Sequence, residues 1–78
     1  VQSSGAAPPR TFAGPSAFRA WLERHHAVER ELLVRCYKQH ARHRGLTYAQ
    51  ALDEALCFGW IDGVRRGWDE YSFVQRFS

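Results

Sequence analysis

No methionine occurs anywhere in the chain, position 1 included, which predicts that the numbered sequence is a processed, tagged or trimmed product. Only two cysteines are present, Cys36 and Cys57, too few for the disulfide framework of a small secreted domain. Both lie inside apolar helical patterns, where a thiol packs as a small hydrophobe. No apolar run approaches the ~20 residues that cross a bilayer, and the basic-then-apolar start of a secretory signal is missing. These absences together predict a soluble, cytoplasmic protein without a membrane span. Lysine is scarce as well: ten of the eleven cations are arginine, and the formal net charge is +3. That excess is compatible with an anionic partner and is weak evidence by itself.

What the sequence does contain is enough for one small domain. The opening VQSSGAAPPRTFAGP is rich in small residues and proline, so residues 1–15 read as a flexible lead-in and 16–78 as a single small α+β domain. Ser16 is a good N-cap, and Phe18, Trp21 and Leu22 recur at i, i+3, i+4, which predicts a helix over 16–25. Val28, Leu32 and Cys36 form an i, i+4 line with Leu33 and Tyr37 beside it, predicting a second helix over 27–43 that Gly45 stops. A third helix over 48–58 has the clearest start, because Thr47 and Gln50 have capping-box spacing and Leu46 and Ala51 occupy the staple positions. Tyr48, Leu52, Ala55 and Leu56 are its expected buried stripe, and Gly59 its left-handed stop. From Trp60 the residues become β-formers, and the pattern predicts a hairpin over 60–77 turning at Gly67-Trp68-Asp69-Glu70, with Asp62-Gly63 as the competing turn. The expected fold is therefore α+β, three helices followed by a C-terminal β-hairpin. Eleven aromatic residues exceed what so small a core usually hides, which points to a homodimer or to a further chain segment that covers them.

The segments Trp21-Leu22, Tyr37-Lys38, Leu46-Thr47-Tyr48, Ala51 to Gly63 (ALDEALCFGWIDG) and Gln75-Arg76-Phe77 resemble the N-terminal half of the YdeI/OmpD-associated family, the bacteriocin-protection proteins. The resemblance covers residues 12–78, and LCFGWIDG is its most specific part. It implies a bacterial protein linked to bacteriocin and antimicrobial-peptide resistance, a form of stress protection, and to an outer-membrane porin; no reaction is attached to that family. Its members continue past Gln-Arg-Phe with Thr-Pro-Arg and a largely helical region. Here Ser78 stands in place of that threonine, so the resemblance implies a fragment of a longer domain.

Four candidate chemistries follow from the residues. Cys57 is a poor nucleophile, since the last turn of a helix and Glu54 one turn earlier both oppose a thiolate; it reads as a structural thiol. Cys36, His40 and His43 fall at i, i+4 and i+7 of the second predicted helix, a zinc-like spacing to which His25 or His26 would add a fourth ligand. There is no second Cys/His pair at finger spacing, so no metal or cofactor is expected. Trp60 and Asp62 project from one face of an extended strand, and Arg76 or Arg66 would pair with the carboxylate beneath the indole. With Tyr37 and Lys38 from the second helix, the five residues Tyr37, Lys38, Trp60, Asp62 and Arg76 form the candidate pocket for a small anionic or peptide ligand. The competing reading makes Asp62 a turn cap and Trp60 a core wedge. Three helices and a hairpin also suit a winged-helix nucleic-acid reader, with Arg65 and Arg66 on the wing. The third helix carries Asp53 and Glu54 and no cation, which disfavours that alternative; Arg30, Arg35, Lys38, Arg42 and Arg44 sit on the second helix and its exit instead. The sequence thus points to a binding module rather than an enzyme.

Overall fold

The structure, a computed structural model, describes residues 8–78. The elements run α1 (Pro15–His25), β1 (Leu32–Tyr37), a 3₁₀ segment (Gln39–Arg44) that kinks at Ala41, α2 (Tyr48–Cys57), β2 (Asp62–Gly67) and β3 (Ser72–Phe77). The expected three helices followed by a hairpin are corrected to two α-helices interleaved with a three-stranded antiparallel sheet of order β1-β3-β2. The predicted helix over 27–43 does not form. Its apolar line Val28–Leu32–Cys36 is equally the alternation Leu32, Val34, Cys36 of a strand, and pairing with β3 supplies the partner that selects the strand. Val28, expected on a buried helical line, lies outside any element and is 76% exposed.

The termini of the α-helices follow from local chemistry. Pro15 opens α1 in the first helical turn after Gly14, and Ser16, the expected cap, lies inside the helix. Thr47 caps α2: its hydroxyl accepts from Gln50 N–H at 3.3 Å while its own N–H donates to Gln50 Oε1 at 3.1 Å. Gly59 takes a φ of 78°, the left-handed conformation that ends α2 and turns Trp60 back so that its N–H reaches Ala55 O at 2.9 Å. Leu56, expected in the buried stripe, is exposed; Ala51, Glu54 and Ala55 form the inward side with Tyr48 and Leu52 partly buried.

The two helices cover one face of the sheet. Register places Leu32 opposite Phe77, Val34 opposite Gln75 and Cys36 opposite Phe73, and all six side chains share that face. Phe18 and Leu22 from α1, Ala51 and Ala55 from α2, and Leu46 and Trp60 complete the core. Phe12, Phe18 and Phe77 stack in series at centroid distances of 5.1 and 5.9 Å, and Trp60 meets Trp21 edge-on at 5.9 Å. Truncating a ring such as fully buried Phe18 removes about 3–5 kcal/mol, comparable to the whole stability of a small domain.

Residues ahead of α1 take part in this unit. Arg10 N–H donates to Leu33 O at 2.8 Å and Arg10 O accepts from Arg35 N–H at 2.9 Å, so the lead-in runs parallel to β1 at Val34 and seats Phe12 in the core. Further along, Tyr37 N–H donates to Leu46 O at 2.8 Å. The outer edge of β1 is thereby occupied. Of the lead-in expected to be flexible over residues 1–15, residues 1–7 lie outside the described residues.

A two-pronged ion pair ties the helices together: Arg19 Nε and its terminal amino group donate to the two Glu54 oxygens at 2.8 and 2.9 Å. The Arg19 hydrogen bond holds the Glu54 carboxyl below its ordinary range, against desolvation that pushes it up. A carboxyl whose folded pKa is depressed stabilises the fold above its unfolded pKa and loses that contribution as pH falls through the folded value. The unfolding temperature is therefore expected to drop on acidification below about pH 4.3, the ordinary glutamate value, and Glu54→Gln to make that drop shallower. Thermal melts of both proteins over the acid range check this; parallel curves would refute it.

Candidate functional site

A β-bulge builds the site. In an unbroken strand Asp62 and Arg65, three residues apart, would project from opposite faces. The register of β2 against β3 slips between them, so Asp62 lies opposite Phe77 and Arg65 opposite Gln75, and both reach the helix-covered side. Gln75, 1% exposed, fills the space under the bulge. Its amide nitrogen lies 2.8 Å from Gly63 O, 3.3 Å from Val64 O and 3.2 Å from Arg76 O, and its Oε1 accepts from Arg65 Nε at 3.1 Å. A carboxamide suits this place because it donates and accepts at once.

Held at Nε, the Arg65 guanidinium lies 4.1 Å from the Phe73 ring centroid and 4.8 Å from that of Tyr48. Its terminal amino groups have no protein partner among the described residues. Tyr48 donates its hydroxyl to Asp62 Oδ2 at 2.7 Å, and that hydrogen bond, with desolvation and the Asp62 charge, raises the phenol above its usual pKa although Arg65 opposes the shift. Beside them a cleft of about 290 Å³ is lined by Tyr37, Lys38, Gln39, Tyr48, Arg65 and Phe73. Two cations, phenol groups and a ring floor in a space of this size suit one anionic group.

The five residues singled out from the sequence do not converge. Tyr37 and Lys38 line the cleft, and Asp62 backs it through Tyr48. Trp60 is a core residue against Trp21 and does not line this cleft. Arg76 does not pair with Asp62; it projects from the open face of the sheet, where its Nε meets Glu31 Oε1 at 2.6 Å. There it lines a wider groove of about 1130 Å³ with Arg10, Arg66, Leu33 and Val74. That groove is larger than the cleft and also borders Arg65, the one of its arginines that a buried side chain orients. Tyr48, Phe73 and Gln75 were not expected in the pocket from the sequence, and Arg65 was expected only on the wing of the nucleic-acid alternative. The signal for Gln75 was a polar residue in the inward register between Phe73 and Phe77; nothing announced the bulge.

The other candidates separate in space. Cys36 sits on the core face of β1 while His40 and His43 belong to the 3₁₀ segment, so the helical zinc spacing is lost. Among the described residues no three His, Cys, Asp or Glu side chains gather as a metal set. Burial pushes the Cys36 thiol up to about 12, with Arg65 opposing, which disqualifies it as a nucleophile. Cys57, expected to be a structural thiol, is exposed at the end of α2. No described helix is long and apolar enough to cross a membrane.

A family model described as a domain of unknown function, DUF8412, matches residues 10–78. No curated protein and no solved structure matches the chain.

Two outcomes test the geometry of the cleft. Gln75→Leu leaves the Gly63 and Val64 carbonyls without their partner, and urea unfolding should register a loss of about 1–3 kcal/mol. Asp62→Asn removes the charge that Tyr48 bonds to, so in an ultraviolet titration the late-ionising phenol of the wild type should return toward the ordinary tyrosine range. An unchanged titration would mean that the Tyr48–Asp62 bond does not form in solution.

Proposed function

We propose that this chain, which belongs to the DUF8412 family, is a binding module whose cleft takes the anionic group of a small ligand or peptide between Arg65 and Lys38. The observation that carries the reading is the Arg65 guanidinium. A buried carboxamide fixes its inner nitrogen, two rings support its plane, and its outer amino groups are left for a carboxylate, sulfate or phosphate. Preorganisation of this kind lowers the ordering cost of binding. Asp62 is bonded to Tyr48 and makes no ion pair with Arg65 among the described residues, which leaves the guanidinium unneutralised by it.

Binding rather than catalysis is supported by what surrounds the cleft. The nearest thiol is buried and protonated, and the phenol is held in its neutral form. The resemblance of residues 51–63 to the YdeI/OmpD-associated family supports bacteriocin and antimicrobial-peptide stress protection as the setting, in a bacterial cytoplasm.

A second reading, a winged-helix nucleic-acid module, is favoured by one observation. The succession of helix, strand, helical turn, helix and hairpin, with sheet order β1-β3-β2, is also the order of that fold. In that reading α2 would enter the major groove, yet its exposed residues include Asp53 and Leu56 and no cation. Duplex reading by α2 is therefore the weaker of the two.

Titration with inorganic phosphate to about 10 mM, followed by amide NMR, tests the cleft. Shifts should concentrate on Lys38, Tyr48 and Arg65, and Arg65→Ala should weaken them at least tenfold with the fold intact. Shifts spread evenly over surface arginines, or an unaltered response in Arg65→Ala, would defeat the reading.

A further inference from the structure

The pairing register gathers a second feature at the end of the sheet where β1 finishes. Tyr37 opposite Ser72 and Gly67 opposite Phe73 bring the exit of β1, the 3₁₀ segment and the β2–β3 connection to one end of the molecule. Lys38 N–H donates to Tyr71 O at 2.8 Å and fastens the 3₁₀ segment to the hairpin. Lys38, Arg42 and Arg44 stand within seven consecutive residues that also hold His40 and His43 and no acid. None of these three cations has an ion-pair partner among the described residues.

Aromatic rings interleave with the cations. Arg44 lies 3.9 Å from the Tyr71 centroid, with His40 at 6.0 Å on the same ring. Trp68 projects from the connection 53% exposed, and Arg35 stands 5.6 Å from its ring. That arginine is fixed in turn: its Nε donates to fully buried Ser72 Oγ at 2.8 Å and its terminal amino group to Asp69 Oδ2 at 2.8 Å. Asp69 also accepts from Tyr71 N–H and Ser72 Oγ, so the acid at this turn is consumed internally, and Glu70 is the one acid of the connection left without a bond. The indole is thus an exposed ring backed by a locked guanidinium.

We infer that this end of the molecule binds single-stranded nucleic acid, with Lys38, Arg42 and Arg44 on backbone phosphates and Trp68 as a stacking platform for a base. Cations that follow a backbone together with exposed rings for bases are what a single strand requires. A duplex keeps its bases stacked internally and has no use for the indole. An acidic protein segment would be served by the cations alone, and the guanidinium-backed ring favours the nucleic acid over it. Lys38 also lines the anion cleft, whereas Arg42, Arg44 and Trp68 line no part of it, so the substitutions at those three positions test this inference apart from the cleft.

Fluorescence anisotropy with a labelled oligothymidine of about 12 nucleotides tests it. With about three phosphate contacts and a slope near −0.7 for each, affinity should fall on the order of 20-fold between about 50 and 200 mM salt. Arg42→Glu with Arg44→Glu should remove most of that dependence. Trp68→Ala should cost roughly tenfold, the effect of one lost base stack, and Trp68→Phe should restore most of it, which a purely structural role for the ring would not predict. No binding at about 50 mM salt would overturn the inference. Equal affinity for a duplex of the same length, with Trp68→Ala behaving as wild type, would reduce the end to an unspecific cationic patch and overturn it. So would equal affinity for an oligoglutamate peptide of matched charge.

Discussion

The carboxamide of Gln75, out of water beneath a β-bulge, is the interaction on which the rest depends. It sits on the central strand, so its backbone serves both neighbours while its side chain holds the irregular stretch of β2. Without the slip between Asp62 and Arg65 the buried Gln75 amide would lose its own partners, and without the support of Gln75 the slip would leave the Gly63 and Val64 carbonyls without their side-chain partner. With it, the slip becomes a device that turns an acid and a base toward the same side. The cost of burying one polar side chain is offset by a complete set of partners, the condition under which interior polar groups rigidify a fold.

The distribution of charge follows the same economy. Three arginines are committed to intramolecular work: Arg19 joins the helices through Glu54, Arg35 braces the hairpin through Asp69, and Arg76 meets Glu31 on the open face of the sheet. The Asp69 carboxyl illustrates the balance. Partial desolvation pushes it up, and the hydrogen bonds from Tyr71 and Ser72 with the Arg35 charge outweigh that push, leaving it below its ordinary range. Those commitments remove much of the negative charge from the surface. What is left is an excess of free guanidinium groups set among rings.

Much of the α-helical and hairpin content was legible in the sequence because it is written in short-range signals. The Thr47–Gln50 capping box, the left-handed Gly59 and the Phe18–Leu22 spacing each act within a few residues, and each is where it was expected. The strand at Leu32–Tyr37 was not legible, since six residues that alternate also satisfy a helical line when the pairing partner lies some forty positions away. The site suffered twice from that one ambiguity. Tyr37 and Lys38 were found, but as part of a helix. Arg76 was paired with the wrong acid, because β3 was not yet the central strand and its faces were unassigned. The bulge was invisible for a different reason: Gly63 reads as a turn residue, and only the buried Gln75 shows that the chain is extended there.

The treatment of the sheet margins has a consequence for behaviour at high concentration. One margin is closed by Arg10 and Leu46, which take up the outward hydrogen bonds of β1. The other is β2, where the irregular register and two adjacent arginines meet any strand that approaches. A second molecule attempting to lengthen the sheet finds a sealed side or a kinked, like-charged one, so end-on polymerisation into fibrils is discouraged in both directions without a single proline in the strands.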